Sequence, residues 1–440
     1  MTEPKATTQL THRRVLGVAL PVVAANITVP LLGLVDTGVV GQLGTPEPIA
    51  AVGIGAVILT SIYWIFGFLR MGTAGLTAQA QGAKDTGETA AMLTRALMIG
   101  ALGGIAIIAL QIPLFAGAFA LSPAAPEIET SARTYMAIRV WSAPALIAGY
   151  GISGWLIGVE RTRAYMAVLV AMNALNIGLD VLFVLHFDWG VRGVAFATVI
   201  AEWAGLALGL YLCRDAFSTA KWRNWSRVFA RARLTRMAQV NSDILIRSAL
   251  LQAMIVVFMF LGARFDAATL AANQVLLQFL QVTAYGLDGF AFGAETLVGQ
   301  AIGAKSLPGL RRAVTVTSLW GGIVALVMAV GFTAFGPLLI DRMTTAPEVR
   351  EAARVFLPWM IAAPLLGWAS WMLDGIFIGA TRTREMRNMM VVCVGIYALA
   401  LAVLVPIMGN HGLWGALLVS YVARALSLWR YYPRVLADAS

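Results

Sequence analysis

Gly72-Thr-Ala-Gly-Leu-Thr-Ala-Gln-Ala-Gln-Gly-Ala-Lys-Asp85 returns later in the chain as Gly293-Ala-Glu-Thr-Leu-Val-Gly-Gln-Ala-Ile-Gly-Ala-Lys-Ser306. Gly, Leu, Gln, Ala, Gly, Ala and Lys recur at a constant offset of 221. At the same offset Gly158-Val-Glu-Arg-Thr-Arg163 matches Gly379-Ala-Thr-Arg-Thr-Arg384, and Gly190-Val-Arg-Gly193 matches Gly412-Leu-Trp-Gly415 one residue further on. The 440 residues therefore read as one unit written twice. Residues 1–213 form the first lobe, 214–237 a basic linker and 238–440 the second lobe.

Outward from the repeat, composition sets the medium. Hydrophobic residues make up 59% of the chain and charged residues only 12%, with a mean hydropathy of +0.79. Such values do not fit a soluble globular protein. Apolar runs fall near 14–40, 48–80, 92–118, 133–157, 163–187, 190–213, 241–262, 267–300, 310–337, 352–378, 388–408 and 412–432. A helix needs about 20 apolar residues to cross a bilayer; the longer runs read as tilted or kinked spans. The expected fold is an all-α membrane protein of twelve transmembrane helices in two six-helix bundles. Six spans return the chain to its starting side, so the bundles form a parallel pseudo-twofold repeat. With the N-terminus inside, 22 Lys and Arg fall on inner segments against 7 on outer ones. The positive-inside rule then places both termini in the cytoplasm.

The net charge of +10 is thus a topology signal rather than a nucleic-acid footprint. The linker, with Trp222 and Trp225 among its arginines, reads as an amphipathic segment on the anionic inner leaflet. The polar start Met1-Thr-Glu-Pro-Lys carries no cleavable signal pattern. Cys213 and Cys393 give no disulfide framework, and His12, His186 and His411 give no zinc spacing.

The polar residues inside the spans carry the functional reading. Asn173, Asn176 and Asp180 stand three and four apart, on one face of the fifth span. Amides alone can act as interhelical glue. A carboxylate at membrane depth costs several kcal/mol, about 3 on insertion scales, and usually marks an ion or proton path. Asp36 near the outer end of span 1, Asp180 with Asn176 on span 5, and Thr198 on span 6 lie at similar depth. Their oxygens suit a hard cation, with Na+ as the candidate metal; two nearby carboxylates equally suit a proton. The offset carries Asp36 to Val257 and Asp180 to Leu401, so both acids belong to the first lobe alone. Asn173, Glu202 and Asn26 are accessory candidates, with Glu202 either extending the site or pairing with Arg70. Pro21 and Pro30 each remove a backbone donor from span 1 and mark a hinge or a static bend. Arg247 and Asp243 read as an interfacial pair, Asp288 as facing a second-lobe cavity. Met254, Phe258, Met259 and Phe260 read as core or lipid-facing.

Val35-Asp36-Thr-Gly-Val-Val-Gly-Gln-Leu-Gly44, together with the Gln-Gly-Ala-Lys element once per half, resembles the multidrug and toxic compound extrusion (MATE) family, especially its DinF branch. The resemblance covers essentially the whole chain. It implies a cation-coupled antiporter, driven by H+ or Na+, that exports amphipathic, often cationic organic compounds by alternating access. In the family a first-helix aspartate couples ion and substrate, a role that falls on Asp36. A family cation site pairs an Asn four residues before an Asp with a Thr eighteen after it, and Asn176, Asp180 and Thr198 reproduce that spacing. The family's hinge proline, fifteen residues before the first aspartate, matches Pro21. Coupling acids of another branch lie in the second lobe; Glu295 and Asp374 sit near inner ends and do not inherit that role. The implied setting is a monomer in the bacterial cytoplasmic membrane, with a small organic substrate and no cofactor beyond the coupling ion.

Other classes find less support. A lipid-precursor flippase of the wider superfamily is the transport alternative, and a passive channel the alternative outside coupled transport. An enzyme would need a nucleophile or metal set; Gly151-Ile-Ser153-Gly-Trp lacks the second glycine spacing, and no Gly-rich phosphate loop ends in Lys-Ser/Thr.

Overall fold

The structure, a computed structural model, describes residues 10–42, 46–121 and 125–439, with the side chains at 31, 33, 34, 36, 37, 40, 46 and 121 outside that description. Twelve helices long and apolar enough to cross a membrane account for nearly all of it. In chain order they are α1 (His12–Gly41), α2 (Glu47–Gly82), α3 (Thr86–Ala109), α4 (Pro126–Gly158), α5 (Thr162–His186) and α6 (Gly190–Leu212). The second set is α7 (Arg231–Gly262), α8 (Ala267–Gly303), α9 (Leu307–Met343), α10 (Pro347–Gly379), α11 (Thr383–Met408) and α12 (Asn410–Trp429). No strand occurs among the described residues. Leu102, Ile407 and Phe260 stay largely exposed, because outward faces of such helices meet hydrocarbon while the backbone groups bond within the helix.

Helix ends repeat as faithfully as the motifs. Lys84 and Lys305 both take a left-handed backbone, φ +57° and +51°, two residues past the spans they close. The following N–H reaches back five residues, from Asp85 to Ala80 O at 3.0 Å and from Ser306 to Ala301 O at 2.9 Å, the helix-terminating turn usually made with glycine. Asp85 and Ser306 then cap the next helices, accepting from the N–H of Glu88 and Gly309. The same device recurs at Glu160 and Thr381, with Arg161 N–H bonded to Leu156 O and Arg382 N–H to Phe377 O.

Close packing repeats too. A Cβ on Gly154 would lie 2.3 Å from Arg70 O, and on Gly158 2.7 Å from Ala74 O. At their counterparts Gly375 and Gly379 it would lie 2.2 Å from Ala291 O and 2.3 Å from Glu295 O. These small-xxx-small pairs let α4 approach α2, and α10 approach α8, backbone to backbone.

Contacts divide the chain into two compact units. One holds the residues up to Val23, Gly82–Lys84 and Ala238 onward; the other holds Ala24–Gln81 and Asp85–Met237. The division falls inside α1, which is helical through both Pro21 and Pro30. Ala19 packs on Phe290, Ala291 and Met372 within the first of these units. That unit's main core gathers Met254, Phe258, Leu276, Tyr397, Leu401 and Trp414, with Phe258 edge-on to Trp414 at 4.5 Å. Met259 and Phe260 are exposed. The other unit is less regular. A 3-10 turn at Ile65–Gly67 interrupts α2, another at Val140–Ser142 interrupts α4, and a π-helical turn at Val181–His186 ends α5.

The linker is tied down by hydrogen bonds. Arg95 on α3, almost fully buried, donates to Val228 O at 2.8 Å and Arg227 O at 2.7 Å and pairs with Glu88. Thr94 donates to Trp222 O, Arg227 pairs with Asp85 and Arg233 with Glu88. Burial disfavours the Asp85 charge, but the Glu88 N–H and the Arg227 guanidinium outweigh it and hold the carboxyl below its ordinary value. Two linker arginines, Arg227 and Arg233, therefore hold the linker at the start of α3, while Trp225 and Phe229 stack on each other and remain exposed.

Candidate functional site

The α5 face bearing Asn173, Asn176 and Asp180 turns inward: all three are buried, Asp180 completely. Leu175 and Val181, beside them in sequence, are exposed, so the 3-and-4 spacing sorts polar from apolar as helical geometry requires. Asn173 donates to Thr28 Oγ1 of α1 at 2.7 Å, and Thr28 passes a hydrogen bond to Ala25 O at 2.7 Å. Asn176 Nδ2 lies 3.4 Å from Thr198 Oγ1 of α6, whose own hydroxyl donates to Val194 O at 2.9 Å. Thr198 thus keeps a lone pair, and the buried Asn176 Oδ1 accepts no hydrogen bond among the described residues. Asn176 Oδ1, Thr198 Oγ1 and the Asp180 carboxylate stand on adjoining turns of α5 and α6, an oxygen-only donor set that fits a small hard cation or a proton.

Asp180 is also the last α-helical residue before the π turn. A π turn widens the hydrogen-bond ladder by one residue and is found mostly at functional sites. Beyond it Phe183, Phe187 and Trp189 stack at 4.9–6.1 Å. Nothing in the residue pattern of Val181–His186 signals a π turn.

Asn26 is buried on α1. Asp36 belongs to α1 by its backbone, but its side chain lies outside the described residues, as does any approach it makes to Asp180. Pro21 is buried and Pro30 exposed.

Glu202 has a different partner from the one expected. Arg139, not Arg70, takes both of its carboxylate oxygens at 2.7 Å each, a bidentate fit that a guanidinium makes well. Arg139 also donates to Ser142 Oγ at 2.6 Å, and Tyr63 lies within hydrogen-bond reach of its carbonyl. Arg139 stands inside the apolar run 133–157. A base within a span was the available signal. Glu202 is therefore a structural neighbour one turn from Thr198, and its charge is already answered.

The second repeat carries different chemistry at matching positions. Asn176 corresponds to Tyr397, Asp180 to Leu401 and Thr198, with the one-residue shift, to Ser420. Tyr397 and Leu401 sit in the apolar core, with the Tyr397 hydroxyl on Met254 O. Arg247 and Asp243 do not pair with each other: Arg247 pairs with Asp374, while Asp243 pairs with Arg387 and accepts from Thr383. Among the described residues, no three His, Cys, Asp or Glu side chains group as a metal cluster.

A family model described as MatE matches residues 21–182 and 244–404. The chain is 41% identical over 424 residues to DNA damage-inducible protein F of Escherichia coli strain K12, covering 94% of this chain and 91% of that one. It is 25% identical over 450 residues to a probable multidrug resistance protein NorM of Chromobacterium violaceum, covering 96% and 93%. Its fold matches the Vibrio cholerae MATE transporter VcmN in the bent form, with a TM-score of 0.84 at 20% identity over 97% of each chain. Twelve spanning helices, the paired motifs and this cover across the whole length make the chain a member of the MATE family of multidrug efflux transporters, in its DinF-like branch.

Proposed function

We propose that this transporter is a cation-coupled antiporter of a bacterial cytoplasmic membrane, both termini inside, that exports amphipathic, often cationic organic compounds by alternating access. The observation that carries the reading is the wholly buried Asp180, one turn along α5 from an Asn176 that reaches Thr198, where the matching Leu401 and Tyr397 of the other repeat lie in an apolar core. A carboxylate so placed must exist protonated, ion-bound or hydrogen-bonded, because desolvating it bare is too costly. Binding a proton or Na+ from outside neutralises it, with Asp36 as the second acid, Asn176 and Thr198 as neutral ligands and Asn173 steadying α5 against α1. Repacking of α1 about Pro21 then links ion entry to substrate release. A ligand shifts such an equilibrium only through differential affinity for the two states, and an acid whose charge appears and disappears supplies it.

The test is efflux of a lipophilic cation from proteoliposomes under separately imposed pH and Na+ gradients. Saturable efflux driven by at least one gradient supports antiport. Efflux indifferent to both, persisting after the gradients are collapsed, points to a passive channel and overturns the proposal; transport confined to lipid-linked substrates points to a flippase.

A further inference from the structure

A second buried charge cluster stands apart from the Asp180 site. Arg247 of α7, Asp374 of α10 and Arg424 of α12 are each less than a tenth exposed. Arg247 Nη2 pairs with Asp374 Oδ2; Arg424 Nη2 stands 3.7 Å from the same oxygen and donates to Ser370 Oγ at 2.8 Å. The Arg424 guanidinium also lies over Trp371 and Tyr421. Asp288 of α8 is within electrostatic reach of Arg247. The cluster therefore balances, two guanidinium groups against two carboxylates, and needs no anion from solution. Tyr421 on α12 and Cys393 on α11 stand within electrostatic reach of Arg424.

The repeat shows what is unusual. The offset of 221 that aligns the two halves places Asn26 opposite Arg247. One half carries a neutral amide where the other carries a fixed cation. A buried carboxylate has three ways to be neutral: a proton, a mobile ion or a counter-charge. Arg247 is the third, and a guanidinium does not deprotonate in proteins. Being covalently attached, it cannot diffuse away, and its effective concentration far exceeds that of any mobile ion.

We propose that Arg247 is a tethered cation that holds the place a coupling ion would otherwise take at Asp374, so that ion exchange is confined to the other repeat. Arg247 is thus a positioning residue that limits how many ions a transport cycle moves. The inference rests on the coupling role given to Asp180, and the test separates the two. Thermal unfolding midpoints of the purified full-length protein are followed against NaCl at constant ionic strength, with choline replacing Na+, and against pH from 5.5 to 8. In an Asp180→Asn background, Arg247→Asn should introduce a saturable Na+- or proton-dependent rise of about 2 °C or more. Adding Asp374→Asn should remove that response, and Arg247→Lys should never show it. A folded Arg247→Asn protein whose midpoint stays flat in both titrations overturns the proposal. If Arg247→Asn cannot be recovered folded, recovery on adding Asp374→Asn supports it, since the missing charge was then the defect; no recovery overturns it. An ion response surviving in Asp180→Asn with Arg247 intact counts against the Asp180 reading alone, because this inference is read from the increment on removing Arg247.

Discussion

At the residue scale, Asp374 and Asp180, a buried acid from each half, stand among different neighbours. Asp374 is held by guanidinium groups, whereas Asp180 lies one turn along α5 from Asn176, whose amide reaches Thr198. Asp180→Asn should therefore remove ion-driven efflux and ion-dependent thermal stabilisation together while the protein still inserts, because the substitution keeps shape and deletes the charge. A variant that pumps at the parent rate would refute the assignment. Asp374→Ala should behave oppositely. It strands Arg247 and Arg424 in the interior, and breaking a buried pair costs about 3–5 kcal/mol, so expression and unfolding midpoint should fall. Glu202→Gln should likewise destabilise by leaving Arg139 without its carboxylate, with little change in ion affinity. The sequence displayed Asn173, Asn176, Asp180 and Thr198 clearly, since charge and amide inside an apolar run are conspicuous. It did not display who pairs with whom. Arg139–Glu202 joins residues 63 apart in the chain, and Asp243 bypasses its neighbour Arg247 for Arg387; long side chains on crossing helices choose partners by packing that spacing does not encode.

At the scale of elements, glycine spacing and capping explain why six helices recur. Gly154→Leu should destabilise by about 1–3 kcal/mol, since even its Cβ meets the Arg70 carbonyl and the Thr73 side chain. Gly149→Ala on the same helix is the control, with nothing within 4 Å of the added carbon. Equal effects of the two on the unfolding midpoint would contradict the close-approach account. Helix existence and the repeat were legible because both rest on local pattern: apolar runs, and Gly-Ala-Lys turns followed by Asp85 or Ser306 as caps. The breaks at Ile65–Gly67, Val140–Ser142 and Val181–His186 were not legible. They carry no glycine or proline signature in common and reflect packing within one bundle. The linker was legible as basic but not as docked, because carbonyl acceptors for Arg95 are invisible in sequence. Arg95→Ala should free it, raising protease cleavage between 214 and 230.

At the scale of the whole molecule, the linker clamp and the transport site should respond to pH in separate windows. The Asp85 carboxyl is held below its ordinary value of 3.8 by the Glu88 N–H and Arg227, against the opposing effect of burial. A depressed acid contributes stability that is fully present above its unfolded value and is lost as pH falls through its folded one. Linker docking at Asp85 should therefore hold throughout physiological pH and weaken only below about 3.8. Where the coupling ion is a proton, by contrast, the transport site has to load and release it in every cycle, so proton-driven efflux should change within the working pH range. Limited proteolysis of the linker and efflux, followed on one preparation from pH 8 downward, should show transport changing while the linker remains protected. If linker cleavage rose in step with the change in efflux, the two would share a titrating group. The clamp would then belong to the transport cycle rather than to a static end of the molecule.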